Sequence, residues 1–101
     1  MSTESQIVVP QSFIDVFVPP GRIKPTETKE HIAARYEFCE DLAIALIDRA
    51  RHILWVTNAT EPDVIQRIKQ GLLQEGSGVE QREAEWVCKR LSELLATRVM
   101  G

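Results

Sequence analysis

From Thr26 to Ala59 the chain contains neither glycine nor proline, and its apolar residues recur there with the period of an α-helix. Ile32, Tyr36, Cys39, Ala43, Leu46, Ala50, Ile53 and Leu54 make one row, and Phe38, Leu42, Ala45 and Val56 make a second beside it. Side chains three and four positions apart share a helix face. The two rows therefore predict one long helix over 28–56 with a broad buried arc. Thr26 or Thr28 can cap its start, Glu27 and Glu30 suit the positive end of its dipole, and Thr57-Asn58-Ala59 is its stop. At about 1.5 Å per residue such a helix runs roughly 43 Å, whereas a domain of about 100 residues has a diameter near 34 Å. Either the helix breaks, or its far end packs on something outside the monomer, most simply a second copy across a two-fold axis. Ile53 and Trp55 at that end then contact a homodimer partner, or Trp55 closes the end of its own core.

The remainder of the chain supplies the other walls. At 101 residues, 44% hydrophobic and with only 5 Gly and 5 Pro, it has the composition of one globular domain and too little length for two independent cores. Residues 1–6 are polar, with nothing to anchor them, and are expected to fray. Over 10–18, Phe13, Ile14, Phe17 and Val18 recur at helical spacing behind Pro10; a strand competes, since Val16, Phe17 and Val18 favour one, but it would put Asp15 on the apolar face. Pro19-Pro20-Gly21-Arg22-Ile23-Lys24-Pro25 cannot continue a helix and reads as a stiff connector over 19–25. Thr60 with Glu61, Pro62 and Asp63 opens a second helix over 61–74, striped by Val64, Ile65, Ile68, Leu72 and Leu73. After Gly76-Ser77-Gly78, Ser77 and Glu80 have the spacing of a capping box for a third helix over 79–99, which carries Val79, Ala84, Trp86 or Val87, Cys88, Leu91, Leu94, Leu95 and Val99. Short connections favour antiparallel neighbours. The expected fold is all-α: a small antiparallel bundle with one long central helix, two shorter ones and a short N-terminal helix or extended segment.

Charge and spacing remove most kinds of chemistry. Twelve Lys and Arg against fifteen Asp and Glu leave a net charge of −3, with the cations scattered among acids, so no positive field awaits nucleic acid. Binding of DNA by the pair around Glu61–Leu73 would need Arg67 and Lys69 on one basic face. Cys39 and Cys88 lie in helical, apolar surroundings and read as two reduced, core-packed thiols. With no charged and apolar leader at the start and no run of about 18 apolar residues, a cytoplasmic chain without a membrane span is expected, and Asn58-Ala59-Thr60 is a chance sequon. Gly71 to Gly78 has the two glycines of a phosphate loop, but Ser77 stands where the lysine belongs and Gly78 where the magnesium hydroxyl belongs. His31 and His52 are too far apart in the chain to share a metal with Cys39. Glu37, Glu40 and Asp41 read as a wet acidic face, and Arg35 as a cation able to pair with Asp15 or Glu61. No cofactor or metal is expected.

Three blocks resemble a family of small bacterial proteins often labelled "ATPase with chaperone activity": Phe17-Val18-Pro19-Pro20-Gly21-Arg22, then Ala34-Arg35-Tyr36-Glu37-Phe38-Cys39-Glu40-Asp41-Leu42-Ala43, then Trp86-Val87-Cys88-Lys89-Arg90-Leu91. The label implies nucleotide hydrolysis and chaperone activity. This chain departs from the first, having no phosphate-loop lysine and no strand to bear an acidic magnesium ligand; an interaction role is what the resemblance leaves. The expected function is accordingly non-enzymatic: a chaperone-like or adaptor protein that binds another protein, with Arg22, Ile23, Lys24, Ile53 and Trp55 as its candidate contacts. The alternative is a small ligand-binding or catalytic bundle using His31, Arg35, Tyr36 and Glu37.

Overall fold

Helical periodicity along the chain is met by helices over most of the described residues. The computed structural model describes residues 8–99, and their side chains as far as Thr97; the expected frayed tail lies outside the described residues. Four α-helices follow one another: α1, Gln11–Ile14; α2, Lys29–Thr57; α3, Glu61–Leu72; and α4, Gln81–Val99. A 3-10 turn, Asp15–Phe17, extends α1, and no strand occurs among the described residues. The fold is the small all-α bundle that the stripes require, and the strand considered for 10–18 is not formed. The chain divides into two compact units, Met1–Phe38 and Cys39–Gly101.

In the first unit a short helix is held by its one large buried ring. Phe13 is fully buried, its ring edge-on to Phe17 at 5.5 Å and to Tyr36 at 5.6 Å, a geometry that places positive ring edges on negative faces. Pro10 stands at the N-cap, and its carbonyl accepts from the Phe13 and Ile14 N–H groups. Thr28, not Thr26, caps α2: its hydroxyl accepts from the His31 N–H at 3.1 Å.

α2 runs for 29 residues without interruption, so the long helix does not break. Its buried positions, Ile32, Cys39, Ala43, Ile47 and Ala50, form one narrow stripe. The second expected row is largely in water: Phe38 is 42% and Val56 58% exposed, Ala45 is exposed, and only Leu42 is half-buried. The buried arc is narrower than the two rows predict, because helical spacing shows which residues share a face but not whether another element covers that face. Ile47, absent from both rows, is 4% exposed. The helix ends as its residues dictate: Thr57 donates from its hydroxyl to the Ile53 carbonyl, and Asn58 turns left-handed at φ 56°.

In the second unit the chain returns from α2 as α3 and runs back as α4. Thr60 caps α3 by accepting from the Asp63 N–H at 3.3 Å, and Val64, Ile68 and Leu72 are its buried face. α3 stops at Leu72, and Leu73, expected in the stripe, is 47% exposed. Ser77 also departs from its expected part. Its hydroxyl donates to the Leu72 carbonyl at 2.6 Å, closing the end of α3. The carboxylate that reaches back at the start of α4 is Glu83, which accepts from the Glu80 N–H at 2.9 Å. The expected Ser77–Glu80 capping box is therefore not formed, and α4 begins at Gln81 instead of Val79. Ala84, Trp86, Val87, Cys88, Leu91 and Leu95 bury the face of α4. At the opposite end of the pair the Ser92 hydroxyl donates to Glu61 at 3.1 Å, which makes α3 and α4 antiparallel. Arg90 ties α4 to α2 through a two-pronged contact with Glu40, 2.8 Å from Nε and 2.9 Å from Nη2.

Candidate functional site

The proline-rich connector folds into a closed loop because each residue type meets its own backbone requirement. Pro20 fixes φ near the value a turn needs, and Gly21 supplies φ +80°, so the Arg22 N–H reaches the Pro19 carbonyl at 3.1 Å in a type II turn. Thr26 then ties the far end back, its N–H donating to the Phe17 carbonyl at 2.9 Å and its hydroxyl to the same oxygen at 3.3 Å. Between these clasps Arg22, Ile23 and Lys24 are all exposed, Ile23 at 92%. A large aliphatic side chain is held in water between two cations on a loop whose ends are pinned.

At the end of α2, in the second unit, the two candidate residues part company. Ile53 is half-buried, since it leans toward the buried stripe, while Trp55 lies on the opposite side and is 86% exposed. Trp55 therefore does not close its own core. Beside it a cleft of about 270 Å³ is lined by Arg51, Leu54, Trp55, Glu61 and Leu95.

The residues of the alternative site are drawn to separate tasks. His31 is exposed and meets the Phe17 ring edge-on at 5.8 Å. Tyr36 packs on Phe13, Arg35 lies over the Phe38 ring at 4.7 Å, and Glu37 is exposed. Of the acidic trio, Glu40 is taken by Arg90, whereas Glu37 and Asp41 stay in water. The hydrogen bond to Glu40, followed by the charges of Glu40 and Glu93, holds the Arg90 guanidinium above its ordinary range.

Both cysteines are free and buried. Burial pushes the Cys88 thiol above its ordinary value near 9.0, against a smaller pull downward from Lys69, so it is a poor nucleophile at neutral pH. Among the described residues no cluster of three His, Cys, Asp or Glu side chains is placed to hold a metal ion, and no helix is long and apolar enough to cross a membrane. The glycines spaced like those of a phosphate loop serve the turn between helices: Gly76 and Gly78 take φ +85° and +92°, and acids Glu75 and Glu80 flank them.

Sequence reasoning passed over a groove of about 670 Å³ in the first unit, with Ile14, Ile32 and Ala33 among its walls and Glu27, Lys29 and Glu30 at its charged side. Ile14 and Ile32 both stood in apolar rows, but nothing in linear spacing brings them together. No family model, curated protein or solved structure matches this chain.

Proposed function

We propose that this protein works by surface contact with another protein, in the manner of an adaptor or chaperone-like helper, and that the Arg22-Ile23-Lys24 loop is its reading head. The observation that carries the proposal is Ile23: 92% exposed, yet mounted on a loop clasped at both ends. Folding gains almost nothing from an isoleucine left in water. A partner that buries it gains the full apolar transfer of roughly 1.5–3 kcal/mol, and a clasped loop loses little entropy on being gripped. Arg22 and Lys24 on either side favour a partner with an apolar socket rimmed by carboxylates. The resemblance to a family labelled for chaperone activity points the same way, and no cofactor enters the reading.

The test is affinity capture from native lysate with the wild-type chain and an Arg22→Ala/Ile23→Ala/Lys24→Ala variant, each checked by circular dichroism. The expected result is a protein retained by the wild type and lost with the variant while helicity is unchanged. Equal capture by both, or no specific capture by either, refutes it.

A further inference from the structure

We propose that a second, separate surface, the outward face of α2 in the second unit, binds another copy of this chain as an antiparallel helix pair. Ile44 then lies against the partner's Trp55, and Asp48 against the partner's Arg51.

Ile44, Asp48, Arg51 and Trp55 follow one another at spacings of four, three and four, which is the seam pattern of two packed helices. All four are exposed, Ile44 at 49% and Trp55 at 86%. Neither Asp48 nor Arg51 makes an ion pair with another described residue. Folding therefore leaves the seam unused.

The order along the seam selects the occupant. Ile44 stands as far before the midpoint between Arg49 and Ala50 as Trp55 stands beyond it, and Asp48 and Arg51 are placed equally about the same point. A two-fold axis through that midpoint, perpendicular to α2, pairs Ile44 with the partner's Trp55 and Asp48 with the partner's Arg51, each pair occurring twice. One surface thus complements itself, as an isologous interface must. A parallel pairing would set Asp48 on the partner's Asp48 and Arg51 on the partner's Arg51, so like charges exclude it. An unrelated partner would have no need of this symmetry. The seam spans only about 16 Å of helix, short of what a standard interface of about 1,200–2,000 Å² requires, so the dimer is expected to be weak and to depend on concentration.

Charge reversal tests the register, because the reversed residues are exposed and the fold does not depend on them. Masses are measured by sedimentation from about 1 to 300 µM for the wild type, Asp48→Arg, Arg51→Asp and the double reversal. The wild type should dimerise; each single reversal should weaken dimerisation by about tenfold or more; the double reversal should restore it. An equimolar mixture of the two single variants should also associate, since Asp48→Arg offers two cations where Arg51→Asp offers two acids. A monomer throughout the range, single reversals without effect, or a double reversal that stays monomeric each overturns the proposal. None of these results touches the Arg22-Ile23-Lys24 loop, so the two proposals stand or fall apart.

Discussion

The contact between Glu40 and Arg90 joins positions fifty apart in the chain, and its strength can be worked from its geometry. Both guanidinium nitrogens meet the carboxylate at 2.8 and 2.9 Å, the fork-on-fork arrangement that makes charge-assisted bonds strongest. Hydrogen bonds to charged groups contribute about 1.5–3 kcal/mol when water is kept away, whereas fully exposed ion pairs contribute about 0.2–1. The Arg90 side chain is 33% exposed and that of Glu40 18%. Solvent screening therefore places the pair between the limits, at about 1–2 kcal/mol. Glu93, 3.2 Å from Arg90 on the next turn, holds the guanidinium in place but lies in water at 59% exposure and adds little. A double-mutant cycle with Glu40→Gln and Arg90→Met, read by urea unfolding, should return a coupling energy of that size. The melting temperature of either single variant should fall by about 4–16 °C, given about 4–8 °C per kcal/mol for a chain of this length. Added salt should shrink the coupling only in part, because burial shields it. A coupling below about 0.3 kcal/mol would show that this ion pair does not join α2 to α4.

Two further outcomes follow from burial. Leu91 is fully buried, so Leu91→Ala should cost about 2–5 kcal/mol in urea unfolding; a loss under about 1 kcal/mol would mean that the face of α4 is not close-packed. Cys88 titrates above its ordinary value near 9.0 because burial disfavours the thiolate. Since the folded state holds the proton more tightly than the unfolded state, this contribution to stability is complete below about pH 9 and is lost as pH rises through the folded value. Stability of the wild type should therefore fall more steeply as pH rises above about 9 than that of Cys88→Ala, and equal slopes would refute the burial of the thiol.

The buried Glu83, 2% exposed, shows how a single residue serves both local and global order. Its carboxylate accepts from the Glu80 N–H and so starts α4, one turn before the apolar face of that helix begins. A sequence scan that takes every Ser-x-x-Glu as a cap selects Ser77, whose hydroxyl is in fact committed to the Leu72 carbonyl. The Ser77–Glu80 signature is present but unused, because the path of the chain between α3 and α4 commits Ser77 to the end of α3.

What linear order determined by itself was everything that depends on neighbours a few residues away. The all-α class, the extent of α2, the Thr60 cap and the stop at Asn58 all rest on helix periodicity or local hydrogen bonds, and these forces act within about one turn of the chain. Ile23 and Trp55 were contact candidates on different grounds: one sits in a proline-stiffened loop and the other at the far end of a helix longer than the domain is wide. Tertiary structure decided which faces are covered and which charges meet. Phe38 and Val56 have the period of core residues but are left in water, and Glu40 reads as part of a wet acidic patch until Arg90 arrives from fifty positions away. Periodicity reports that a side chain shares a face with others, whereas burial and ion pairing need a second element to approach that face, and no spacing along one helix records where the next will lie.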